Sequence, residues 1–136
     1  MEKGEILVVE DNEENRDIFR TILEYGGYVV SVAEDGEQGL AAIKERRPDL
    51  VILDIGLPRM DGWELLRRLR ESPNGLGDTQ VMVVTADTSA DGEARAARLG
   101  CVDFLTKPVE PRRLLARARK VLAGESLREN SSGSAH

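Results

Sequence analysis

The chain has 136 residues, enough for one domain with one core, and its 40% hydrophobic and 32% charged content is that of a globular protein. A net charge of −6 argues against generic affinity for nucleic acid, and no apolar run is long enough to span a bilayer. No basic-then-apolar leader opens the chain, and its lone cysteine, Cys101, has no intrachain disulfide partner, so a cytoplasmic location is expected.

Strand and helix patterns alternate five times. Strands are predicted near residues 5–9, 28–33, 49–53, 80–85 and 102–106, and helices near 13–26, 37–46, 62–71, 89–99 and 111–123. The first, third and fourth strands are almost wholly apolar, the pattern of strands covered on both faces. Ile18, Phe19, Ile22 and Leu23 form a helical stripe in the first helix, as do Leu114, Leu115, Ala118, Val121 and Leu122 in the last. Asp11 or Asn12 caps the first helix, Gly26-Gly27 ends it, and Pro111 suits the first turn of the last. Ser72 to Gly77 read as a loop, and Cys101, Trp63 and Leu65-Leu66 as packing residues. Residues 124–136 read as a disordered tail, with His136 too isolated for a metal site. Repeated βα units imply an α/β fold with a parallel sheet, right-handed crossovers and helices on both faces.

The polar residues that end these strands are the informative ones. Glu10-Asp11 follow the first apolar run, Asp54 the third, Thr85 the fourth and Lys107-Pro108 the fifth. Ligands of open parallel sheets bind outside the carboxyl ends of the strands. Two carboxylates about 4 Å apart repel by roughly 4 kcal/mol at an effective dielectric near 20. Three of them at one sheet edge call for a hard cation, and few protein ligands with an open face favour Mg²⁺. An aspartate carboxylate accepts a phosphoryl group as an acyl phosphate, which makes Asp54 a candidate nucleophile. Lys107 and Thr85 then offer charge and a hydrogen bond to the transferring oxygens.

Ile6-Leu7-Val8-Val9-Glu10-Asp11-Asn12, the run from Asp54 to Gly62, Val84-Thr85-Ala86 and Lys107-Pro108 occur in order with family-like spacing. The chain resembles a response-regulator receiver domain of the CheY-like superfamily over about residues 4–123. The resemblance implies a flavodoxin-like, doubly wound (βα)5 fold with strand order 2-1-3-4-5 and a receiver domain over 1–123. It implies Asp54 as phosphoacceptor, with Mg²⁺ held by Glu10, Asp11, Asp54 and the backbone carbonyl of Gly56. Thr85 and Lys107 become the phosphoryl-contacting pair, Phe104 the switch aromatic, and Lys107-Pro108 a cis bond. Gly56 departs from the polar or bulky side chain common there, and Asp87 places a carboxylate near the site; both positions tune acyl-phosphate hydrolysis in the family.

The expected function is that of a response regulator in two-component signal transduction, an acceptor domain rather than an enzyme. Its donor would be a histidine kinase or a histidine phosphotransfer protein, docking on the first helix around Ile18, Phe19 and Ile22. Its output would be contact with a downstream protein or a second copy through the fourth helix, fifth strand and fifth helix. Arg95, Arg98, Arg112, Arg113, Arg117, Arg119 and Lys120 cluster in that region, whereas acids outnumber bases in the first forty residues. Alternatives are a receiver cut from a hybrid histidine kinase and a phosphorylation-independent adaptor. A haloacid-dehalogenase-type phosphatase would carry a second Asp where Gly56 stands. A flavin binder would not place Glu10-Asp11-Asn12-Glu13-Glu14 where a phosphate must sit.

Overall fold

The computed structural model describes residues 4–86 and 89–124. Its elements, in chain order, are β1 (Glu5–Val9), α1 (Glu13–Tyr25), β2 (Val29–Ala33), α2 (Gly36–Arg46), β3 (Leu50–Asp54), α3 (Gly62–Arg70), β4 (Val81–Thr85), α4 (Ala90–Arg98), β5 (Asp103–Thr106) and α5 (Pro111–Leu122). All strand pairs are parallel and the sheet order is β2-β1-β3-β4-β5, as expected. Asp87 and residues 125–136, including His136, lie outside the described residues. No helix among the described residues is long and apolar enough to cross a membrane.

Side chains of a strand alternate between faces, and here both faces are covered. Leu7, Val9, Val51, Leu53, Val81 and Val83 pack with Leu40 and Ile43 of α2, Leu65, Leu66 and Leu69 of α3 and Ala96 of α4. Their neighbours Ile6, Val8, Leu50, Ile52, Met82 and Val84 pack with Phe19 and Leu23 of α1 and Leu114, Leu115, Ala118 and Val121 of α5. Thus α2, α3 and α4 cover one face, α1 and α5 the other. Cys101 is buried in the first of these clusters.

Each helix starts on a side-chain cap. Asn12, Asp35, Asp61, Ser89 and Glu110 accept from the backbone N–H groups of Asn15, Gln38, Glu64, Gly92 and Arg113. Of the two residues offered for the first cap, Asn12 takes it, which leaves the Asp11 carboxylate at the sheet edge.

Of Phe19 and Ile22, at least one of which was expected in the core, Phe19 is buried at 4% exposure and belongs to it. Several other side chains differ from expectation. Leu76–Asp78 form a 3-10 turn inside the expected loop region, because Leu76 is drawn into the core. Arg117 is no free surface base: it donates to both carboxylate oxygens of Asp103, at 2.7 and 2.6 Å. Arg70 donates to the carbonyls of Leu99, Gly77 and Thr79 at 2.7, 2.9 and 2.6 Å, tying the end of α3 to the end of α4 and to the 3-10 turn. Trp63 packs partly buried against the core, with the Arg95 guanidinium of α4 4.6 Å above its ring.

The loop that follows β3 is held by a close approach at Gly62. A methyl group there would stand 2.7 Å from the Asp54 carbonyl oxygen and 2.6 Å from the Ile55 Cα, whereas one at Gly56 would meet nothing within 4 Å. Gly62→Ala is therefore expected to cost about 1–3 kcal/mol of stability, the usual scale of overpacking, and Gly56→Ala to cost far less. Urea denaturation of the two variants checks this, and equal losses would refute the assignment.

Candidate functional site

The parallel register brings the ends of β1, β3, β4 and β5 to one edge. β1 stops at Val9 and presents Glu10, β3 ends on Asp54, β4 ends on Thr85, and Lys107 follows β5 directly. Leu53 lies opposite Val9, and Thr85 opposite Thr106, in the ladder. The Lys107 backbone N–H donates to the Thr85 carbonyl at 2.7 Å, fixing the strand end from which the ammonium projects. The Lys107-Pro108 bond is cis, as the resemblance implied.

Glu10, Asp54 and Thr85 are buried, while Asp11 is exposed. The Lys107 ammonium stands 2.9 Å from Glu10 Oε1 and 3.1 Å from Asp54 Oδ2. It donates a well-directed hydrogen bond to Asp54 Oδ2. Its approach to Glu10 Oε1 is an ion pair whose direction does not make a hydrogen bond, so this buried oxygen has none. Glu10 Oε2 accepts from the Asn12 N–H at 3.1 Å, and Asp54 Oδ1 from the Gly56 N–H at 3.1 Å. Arg16 reaches back from α1 to the carbonyls of Glu10 and Asp11, at 3.0 and 3.4 Å, and so braces the turn that carries the acid pair.

Burial pushes the Glu10 carboxyl above its ordinary range and the nearby Asp54 charge adds to this, against the Lys107 contact that lowers it. Burial of Lys107 works to lower its pKa, but the contacts with Glu10 and Asp54 outweigh this and hold it above the usual lysine range. Two buried carboxylates therefore share one ammonium, with the exposed Asp11 carboxylate beside them. Ligand oxygens of Glu10, Asp11 and Asp54 lie within 4.8 Å of one another. Uncompensated negative charge, a buried oxygen without a hydrogen bond and an all-oxygen donor set fit a hard divalent cation.

The structure brings together Glu10, Asp11, Asp54, Thr85, Lys107 and the Gly56 backbone. Phe104 stands two strand residues deeper than Thr85 in the ladder, opposite Val83, and packs half-buried against the face covered by α3 and α4. Sequence reasoning missed Arg16 as a brace of the acid turn; its i,i+4 position from the Asn12 cap, on the first turn of α1, was the available signal. It also missed the Gly56 N–H as a donor to Asp54, which no residue type announces.

Comparison with known proteins identifies the family. The family model described as "Response regulator receiver domain" matches residues 6–119. The "Uncharacterized transcriptional regulatory protein YkoG" of Bacillus subtilis is 42% identical over 122 residues, 90% of this chain and 52% of that protein. The chain likewise spans about half the length of "Response regulator MprA" from Mycobacterium sp. (strain KMS), at 39% identity over 86% of this chain. Among solved structures, a CheY-like receiver domain protein from Methanospirillum hungatei JF-1 superposes with a TM-score of 0.82 at 32% identity, covering 90% of this chain and 96% of that one. With the sheet order, the strand-end acids and lysine and the matched profile in agreement, the chain belongs to the response regulator receiver domain family.

Proposed function

We propose that Asp54 accepts a phosphoryl group from a phosphohistidine donor, a histidine kinase or a histidine phosphotransfer protein, and that the domain over 1–123 signals through protein contact. The observation that carries this reading is the Lys107 ammonium placed between Glu10 and Asp54 beside a buried oxygen that has no hydrogen bond. A carboxylate oxygen of Asp54 attacks phosphorus as the bond from phosphorus to the donor nitrogen breaks, and the electron pair leaves with the imidazole. Mg²⁺, held by Glu10, Asp11, Asp54 and the Gly56 carbonyl, would neutralise charge on the phosphoryl oxygens. Lys107 supplies a second positive charge on the same side. Thr85 ends β4 next to the strand that carries Asp54, and its hydroxyl would donate to a phosphoryl oxygen.

The transfer leaves roughly −1.5 to −2 charge at the sheet edge. Lys107 and Thr85 gain a new partner there, and Phe104 follows the Thr85 backbone into the space between β5 and α4. The changed packing of α4, β5 and α5 is the output, read by a downstream protein or a second copy. Phosphorylation shifts that equilibrium only as far as its free energy differs between the two packings. Exposed Arg113 and Lys120 of α5 supply the charge of this face, while Arg117 is committed to Asp103.

Incubation of the protein with Mg²⁺ and acetyl phosphate is expected to add one phosphoryl mass, and Asp54→Asn or removal of the metal to abolish it. Intact mass spectrometry reads this. If beryllofluoride binding also fails in the presence of Mg²⁺, the phosphoacceptor reading is wrong and a phosphorylation-independent adaptor takes its place.

The open space at Gly56 leaves water a path to the acyl phosphate. Gly56→Asn is expected to slow hydrolysis by about tenfold, a barrier change of ~1.4 kcal/mol. Decay of the phosphorylated mass measures it, and equal rates would remove the role of the gap. Reversal of Arg113 and Lys120 to Glu is expected to weaken phosphorylation-dependent association without changing acceptor activity; unchanged binding to the downstream partner in a titration would place the output elsewhere.

A further inference from the structure

The three carboxylates at the sheet edge are not equally held. Glu10 Oε2 accepts from the Asn12 N–H, and Oε1 faces the Lys107 ammonium. Asp54 is bonded by Lys107 on one oxygen and by the Gly56 N–H on the other. The Asp11 carboxylate is exposed and has no hydrogen bond or ion pair among the described residues. Its direction is set by its backbone alone.

That backbone is anchored on both sides of Asp11 and not at Asp11 itself. The Glu10 N–H closes the last rung of the ladder on the Ala33 carbonyl at 3.0 Å. The Asn12 side chain caps α1, and the Asn12 carbonyl receives the Arg16 N–H at 2.9 Å. Asp11 lies between, past the strand and before the helix. The side chain of Arg16 spans this gap. Its Nη1 donates to the Glu10 carbonyl at 3.0 Å and, at a longer 3.4 Å, to the Asp11 carbonyl. A peptide unit is planar, so a bond to its carbonyl orients the whole plane. These two carbonyls belong to the two planes that hinge on the Asp11 Cα. Holding both sets the direction in which the Asp11 side chain leaves the chain.

The guanidinium has an ordinary alternative. Glu13, three residues earlier, lies on the same side of α1 and is the usual kind of ion-pair partner at that spacing. Arg16, half-buried, forms no ion pair among the described residues and turns back to two neutral carbonyls instead. Its charge and its geometry then act in opposite directions on a cation bound at the acids. A fixed positive charge beside the turn repels the cation, whereas a preoriented Asp11 favours it. Groups that orient metal ligands ordinarily set affinity by the second effect.

We propose that Arg16 is a positioning residue of the divalent-cation site: it fixes the peptide planes around Asp11 and so holds that carboxylate towards Glu10 and Asp54, whose ligand oxygens lie within 4.8 Å of its own. This orientation outweighs the repulsion of the guanidinium. The inference rests on the reading of Glu10, Asp11 and Asp54 as Mg²⁺ ligands.

Calorimetric titration of Mg²⁺ into the whole unphosphorylated chain tests it. Arg16→Met is expected to weaken Mg²⁺ binding about tenfold, although it removes a positive charge. Arg16→Lys is expected to recover most of the loss, because both contacts come from a single nitrogen. Arg20→Met removes the next arginine of α1, which pairs with Asp17 and not with the turn, and is expected to leave binding unchanged. In the metal-free protein, NMR order parameters of the Asp11 and Asn12 amides are expected to fall in Arg16→Met and to hold in Arg20→Met. Equal or tighter Mg²⁺ binding by Arg16→Met, or amides as rigid as in the wild type, overturns the proposal and leaves the metal site standing. Arg16→Gln is expected to repeat the loss; weaker binding confined to Arg16→Met, with a lowered thermal midpoint, would be a folding defect and overturns the proposal too. A wild-type chain that binds no Mg²⁺ refutes the ligand reading, and the positioning role falls with it.

Discussion

One ammonium group against two buried carboxylates organises the active edge of this molecule. Lys107 projects from the end of β5, yet its partners Glu10 and Asp54 sit at the ends of β1 and β3, so the contact spans the sheet beyond its edge. Such a contact is available only because every strand runs the same way and stops at nearly the same level. Its charge is also incomplete. Three acids face one lysine, and burial already pushes Glu10 towards its neutral form. The site is held in a state that a further cation relieves.

Stability and chemistry are kept apart by the layers. The apolar ladder residues fill both faces and owe nothing to the charged edge. Gly62 lets the chain turn tightly against the backbone of Asp54 and Ile55. On the outer side, Gly56 contributes only backbone. The Asp54 carboxylate is thus closely bounded by backbone on the Gly62 side, while the Gly56 side is open.

Much of this was legible from residue order. The buried strands β1, β3 and β4 announce themselves as unbroken apolar runs, and the polar residue that ends each one is the site. Strand order was legible only through likeness to a known family, because helices on either face of a parallel sheet read alike. The long basic side chains were the least legible. Arg117 looked like part of a charged patch and is instead clamped to Asp103, and Arg70 serves backbone carbonyls of two separate turns. A flexible guanidinium has many possible partners at every spacing, so its sequence position decides little. Which of Ile18, Phe19 and Ile22 stays exposed was left open for a simpler reason: adjacent residues on an amphipathic helix differ by about 100°, and only the actual packing decides whether Ile18 or Phe19 faces the sheet.

The stacking of Arg95 on Trp63 has an optical consequence. Trp63 is the single tryptophan of the chain, anchored in α3, while the cation above its ring is carried by α4. Indole emission depends on nearby charge and on solvent. Any displacement of α4 against α3 thus writes itself into the intrinsic fluorescence of the protein, free of other indole signals, and the molecule carries its own dye at the joint between these two helices.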